Sequence, residues 1–208
     1  MMKHFFSKLF KGNTRKQFVT VVSGLPRSGT SMMMKMLEAG GILPMTDNIR
    51  TADLDNPNGY YEFERVKQLD KGDKAWVKEA HGKVVKVITQ LLRHLPADCE
   101  YRIVFMRRSM SEIIASQNKM LINRGQDPNA TTDEETASLL EKHLAHVTKW
   151  IQSQANVSVI YVDYGDMFKD PELQIRRINE FLGGDMNKEE MFRVADPQLY
   201  RNRKTEAA

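Results

Sequence analysis

One stretch constrains this chain more than any other. An apolar run, FVTVVS (Phe18–Ser23), leads directly into Gly24-Leu25-Pro26-Arg27-Ser28-Gly29-Thr30-Ser31, and a helical pattern over Thr30–Glu38 follows. A buried strand, a glycine-bearing turn and a helix start in that order make an oxyanion cradle. The glycines let the backbone turn its amides inward, and the helix start adds free N–H groups and the positive end of its dipole. Thr30 and Ser31 add hydroxyls, and Arg27 adds a fixed positive fork. The segment nearly matches the nucleotide loop GxxxxGK followed by Ser or Thr. It departs at the lysine slot, which holds Thr30, so the residue that an ATP-handling loop places on the β- and γ-phosphates is missing.

Three further apolar runs, Val84–Ile88, Arg102–Met106 and Val157–Val162, are rich in valine and isoleucine without clean alternation. Such runs fit parallel strands covered on both faces. Helical patterns lie between and after them at Ser111–Asn123, Glu134–Gln154 and Glu172–Leu182, the last stopping at Gly183–Gly184. Strand and helix in alternation predict an α/β fold, a three-layer sandwich around a central parallel sheet. With 208 residues, 41% hydrophobic and 28% charged, the chain reads as a single domain over 1–208 with an N-terminal extension at 1–16. Two polar stretches, 46–59 and 125–132, read as loops.

The formal net charge of +4 favours anionic partners. Basic residues are spread along the chain without a stacked-aromatic or reading-helix motif, which argues against nucleic acid. No run of eighteen apolar residues is present, so no transmembrane helix is expected. Met1–Lys11 lacks the long apolar stretch and cleavage site of a signal peptide. It reads as a capping helix or tail, with a membrane-touching amphipathic helix as the alternative. The single cysteine, Cys99, allows no intrachain disulfide.

The loop PRSGTS (Pro26–Ser31) resembles the 5′-phosphosulfate loop of the sulfotransferases that use 3′-phosphoadenosine 5′-phosphosulfate (PAPS). That family has Pro, Lys or Arg, Ser or Thr, Gly and two further hydroxyl residues there. Arginine at position 27 is similar to its bacterial and Golgi-type members. The resemblance implies a P-loop-like sulfotransferase fold, with Arg27, Ser28, Gly29, Thr30 and Ser31 on the donor and Arg27 at the bridging oxygen. After the third strand, Arg108 and Ser116 have the spacing of the family's arginine and serine on the donor's 3′-phosphate, with Arg107 as the surface member of the basic pair. Tyr164, followed by Asp170-Pro171 and Phe181-Leu182-Gly183, falls where the family places a tyrosine beside the adenine. Gly165 stands where a glutamate is usual, which weakens that local match, and packing of the strand end is the other reading of Tyr164. The family's C-terminal RKG segment is missing, and Arg201, Arg203 and Lys204 are the charges left to replace it.

The implied reaction moves a sulfuryl group from PAPS to an acceptor hydroxyl and releases adenosine 3′,5′-bisphosphate, with no metal. The acceptor, a small molecule, a glycan or a peptide, is not legible, nor is the oligomeric state. Loops 46–59 and 125–132 are expected to shape the acceptor site. The proton acceptor is expected at Glu62, in Asn56-Pro57-Asn58-Gly59-Tyr60-Tyr61-Glu62, a stretch similar to one in bacterial members; Glu79 and His81 are the alternatives. Lys83 or Lys86, flanking the second strand, is a candidate for reaching the sulfate or the acceptor. His143 and His146 read as surface residues. The donor's location and the lack of an export signal make a cytoplasmic protein the expectation. Two rivals remain: an ATP- and magnesium-dependent kinase or hydrolase with Asp163 as metal ligand, and a non-catalytic nucleotide-binding module.

Overall fold

A computed structural model describes residues 18–47, 49 and 59–195. Met1–Lys11, the extension 1–16, Asn56–Asn58 with most of the first loop, and the basic residues Arg201, Arg203 and Lys204 lie outside the described residues.

The four expected strands form. They are β1 (Phe18–Gly24), β2 (Val84–Lys86), β3 (Glu100–Arg107) and β4 (Val157–Asp163). All pair in parallel, in the order β2-β1-β3-β4. The helices are α1 (Thr30–Ala39), α2 (Met110–Asn123), α3 (Asp133–Ser153), α4 (Asp166–Lys169), α5 (Pro171–Phe181) and α6 (Lys188–Val194). Three 3₁₀ segments, Glu64–Lys71, Ala75–Ala80 and Thr89–His94, were not expected.

The apolar runs fail to alternate because both faces of the sheet are covered. Val19, Val21, Val85, Ile103 and Phe105 pack with Val147 and Ile151 of α3 and with the 3₁₀ segments. Val22, Val84, Val104, Met106 and Val162 face a methionine-rich layer from α1, α5 and α6. The result is the three-layer α/β sandwich. The second strand is shorter than expected, although Val87 N–H still donates to Val22 O at 3.0 Å. The predicted stop after α5 holds: Gly183 and Gly184 have φ of +117° and +86°, and Gly184 N–H donates to Asn179 O at 2.7 Å.

The chain leaves β1 toward β2 on one side and crosses to β3 on the other. In open parallel sheets such a reversal opens a crevice at the carboxyl ends of the two strands. Gly24 pairs with Met106 there, so the loop after β1 and the turn after β3 are neighbours. No described helix is long and apolar enough to cross a membrane.

Candidate active site

The loop between β1 and α1 carries its strain where the sequence places its glycines and arginine. Gly24 and Gly29 have φ of +150° and +99°, and Arg27, which has a Cβ, sits at +70°. A non-glycine residue held there costs about 1–3 kcal/mol, and such positions gather at functional sites. The glycines are also needed for space. A Cβ on Gly24 would lie 2.5 Å from Ser28 Oγ and 2.6 Å from Met106 O, and one on Gly29 would lie 2.3 Å from the Tyr164 ring. Ser28 is fully buried and its Oγ has no hydrogen-bond partner. No side chain caps α1 at Gly29, and its first turn holds no acid. Strained backbone, an orphaned hydroxyl and an uncapped helix start are what an oxyanion cradle requires.

The turn after β3 supplies the second half. Arg107 is exposed and paired with Asp163 at 2.7 Å across the ends of β3 and β4. Asp163, the metal ligand of the kinase-like rival, is therefore engaged by a cation. Arg108 turns inward, with its side chain only 8% exposed. Its Nε donates to Glu112 Oε2 at 2.9 Å and its Nη1 donates to Arg27 O at 3.1 Å. Its guanidinium lies over the Tyr164 ring, 4.6 Å from the centroid. Arg27 Nε donates to Ser116 Oγ at 2.9 Å. Arg27, Arg108, Ser116 and Tyr164 thus meet across 137 residues of sequence, counted from 27 to 164. The Arg27 guanidinium therefore lies beside Ser116, in the second half of the site.

Tyr164 closes the crevice. Its N–H donates to Arg107 O at 2.7 Å, and its ring stacks edge-on with Phe168 at 5.1 Å. The structure shows Tyr164 packing the strand end and the Gly29 turn.

A further side of the crevice is built from β2 and the segment after residue 59. Lys86 Nζ donates to Tyr60 O at 2.6 Å and to Ser31 Oγ at 3.5 Å. Of the two candidate lysines it is Lys86 that reaches the loop. Lys83 lies before the strand, where its carbonyl accepts from Thr20 N–H. Tyr61 has φ of +51° and donates its hydroxyl to Glu38 Oε2 at 2.6 Å. Burial, and then that carboxylate, push its phenol well above the usual range, so it stays a donor. Glu62 lies 3.7 Å from Lys67 Nζ, and its carbonyl accepts from Thr46 Oγ1.

Two alternatives for the proton acceptor are placed elsewhere. His81 bridges to Val19 at the start of β1, the amino edge of the sheet, and its Nδ1 meets Lys78 O. Glu79 lies two residues earlier in the same short segment. A parallel sheet puts strand starts and strand ends on opposite edges, so neither faces the phosphate loop. His143 is also corrected. It is half-buried, with Nε2 2.8 Å from Thr89 Oγ1, while His146 is exposed. The sequence reading passed over Glu112. The signal was available, since an acid four residues after an arginine at a helix start is within reach of it.

The sulfotransferase domain family matches residues 19–207. Among solved structures, the chain is similar to a mouse sulfotransferase complexed with PAP (TM-score 0.51, 19% identity, covering 86% of this chain and 63% of that one). It is similar to the sulfotransferase domain from the curacin biosynthetic pathway (TM-score 0.54, 16% identity, 88% and 79%). A Mycobacterium tuberculosis sulfotransferase also matches (TM-score 0.51, 14% identity, 88% and 72%). At these identities the likeness is one of fold, and the chain spans less than two thirds of the mouse protein's length. No curated protein matches the sequence. A parallel sheet with an oxyanion loop at its reversal and a family match over nearly the whole chain lead to one conclusion: the chain belongs to the sulfotransferase domain family.

Proposed function

We propose that this chain transfers a sulfuryl group from PAPS to an acceptor hydroxyl and releases adenosine 3′,5′-bisphosphate (PAP). The observation that carries the reading is the coupling of two oxyanion sites. Arg108, positioned for one, donates to the backbone of Arg27, and Arg27 donates to Ser116. A donor with phosphates at both ends of one ribose needs two such sites at a fixed separation. ATP needs neither Arg108 nor Ser116 there and wants a lysine where Thr30 stands. The mouse relative's complex with PAP supports the same donor.

On this reading the loop amides, Ser28 and Thr30 hold the 5′-phosphosulfate, and Arg108 and Ser116 hold the 3′-phosphate. Tyr164 bounds the adenine side. The acceptor oxygen attacks sulfur, the bond from sulfur to the bridging oxygen breaks, and negative charge passes to the departing phosphate. Arg27, turned from Ser116, and Lys86 neutralise that charge. Positioning and electrostatic stabilisation supply most of the acceleration, as in phosphoryl transfer. The acceptor proton goes to Glu62. Lys86 ties Tyr60 to Ser31, so the segment bearing Glu62 runs beside the loop. Glu62→Gln then retains PAP affinity and loses turnover; unchanged turnover removes Glu62 from the mechanism.

Calorimetric titration of PAP against ATP with magnesium tests the donor. Tight, magnesium-independent PAP binding that weakens on the order of a hundredfold in Arg108→Ala supports it, the scale expected when a buried charged partner is lost. ATP binding with magnesium, and none for PAP, removes it.

A further inference from the structure

α2 and α3 both carry an acid at the third helical position and use it differently. At α3, Thr132 and Glu135 form a reciprocal capping box, with the acid at the third helical position bonding back to the cap. At α2 the acid at the same position is Glu112, but Ser109 makes no side-chain cap. The Glu112 carboxylate instead takes the Nε of Arg108, which lies before the helix. Both side chains are only 8% exposed. A buried ion pair is a poor way to add stability, because desolvation consumes most of the Coulombic gain. What such a pair provides is a fixed geometry. The Arg108 guanidinium is held on three sides: by Glu112 at Nε, by the Arg27 carbonyl at Nη1, and by the Tyr164 ring on one face. The carbonyl belongs to the strained Arg27 backbone and the ring packs on Phe168, and Glu112 adds the charged contact at Nε that helps set the plane of the fork.

We infer that Glu112 is a positioning residue that aims Arg108 at the 3′-phosphate and so sets how strongly the site prefers a 3′-phosphorylated nucleotide. The inference rests on the donor reading above. A planar fork pays out in affinity only when its N–H groups meet the phosphate oxygens in line. A guanidinium free to rotate about its last bonds keeps its charge and loses that match.

The experiment compares PAP with adenosine 5′-monophosphate, which lacks the 3′-phosphate. Both are titrated calorimetrically into the wild type, Glu112→Gln and Glu112→Asp. The expected result is a preference for PAP that falls about tenfold in Glu112→Gln, the scale of one charge-assisted hydrogen bond. Affinity for the monophosphate stays unchanged, and Glu112→Asp recovers part of the preference. An unchanged or increased preference in Glu112→Gln overturns the inference. Equal loss of both ligands also overturns it, because Glu112 would then act through the fold. A wild type that binds PAP no better than the monophosphate removes the donor reading and the inference with it; a wild type that prefers PAP while Glu112→Gln keeps that preference removes the inference alone.

Discussion

The helix starts of this protein fall into two kinds. α3, α5 and α6 begin at Thr132, Asp170 and Asn187, each with its side chain accepting a backbone N–H of the first turn. α1 and α2 begin at Gly29 and Ser109, and neither residue's side chain makes a cap. A missing cap forgoes about 1 kcal/mol. Apart from the four-residue α4, which starts uncapped at Gly165, the helices that do without one are those that start at the carboxyl ends of β1 and β3, where the sheet order reverses. On the proposed function, local stability is given up where backbone donors face the donor's phosphates and kept where the helix has only to hold the fold.

The comparison breaks most sharply at Gly29. Gly29→Ala places a Cβ 2.3 Å from a ring that Arg108 and Phe168 hold from other sides, at φ of +99°. The loop has to shift, and PAP affinity is expected to fall on the order of a hundredfold, the scale of a misplaced site. Retained affinity would show that α1's start plays no part in binding. Thr132→Ala is the matched change at the other kind of start. It removes the capping box of α3, costs about 1 kcal/mol and lowers the melting temperature by about 3 °C, with PAP affinity unaltered. A loss of affinity there would erase the distinction between the two kinds of start.

Two buried hydroxyls sharpen the same contrast. Thr20 and Ser28 are both fully buried, and neither hydroxyl has a partner. Thr20 lies within β1, away from the cradle, so Thr20→Val is expected to stabilise the protein by about 1 kcal/mol and leave binding alone. Thermal denaturation and PAP titration of that variant check both halves.

The smallest effect concerns pH. Burial, with His146 and Arg93 nearby, pulls the pKa of His143 below its ordinary value. The unfolded chain then takes up a proton near pH 6.5 that the folded chain refuses, so this contribution is complete above that pH and is lost as pH falls. Melting temperature should drop more between pH 7 and pH 5 in the wild type than in His143→Gln. An identical drop would place the acid sensitivity elsewhere.

Much of this was legible in the sequence because it is local. Continuous valine and isoleucine runs gave the four strands, period-3.6 patterns gave α1, α2, α3 and α5, and Gly183–Gly184 gave a stop. The spacing of Arg108 and Ser116 could be read because eight residues separate them along one turn and helix; in the structure Ser116 accepts from Arg27. The 3₁₀ segments escaped because they are too short for a period to show, and α6 because it has only seven residues. The edge on which His81 and Glu79 lie and the contact of His143 with Thr89 were not legible for another reason. Which sheet edge a residue faces depends on strand direction, and what covers a helix face depends on packing.

By itself, then, the sequence determined the α/β alternation, the glycine-bearing turn after β1 and the spacing of Arg108 and Ser116, since each is written in contiguous residues through backbone sterics and hydrophobic period. Only the tertiary structure decided that β1 lies between β2 and β3. That order brings Arg27, Ser116 and Tyr164 to one crevice and puts Lys86 against Ser31. Those contacts are set by sheet order and by the exclusion of water from a shared interior, and neither has a signature in any single stretch of chain.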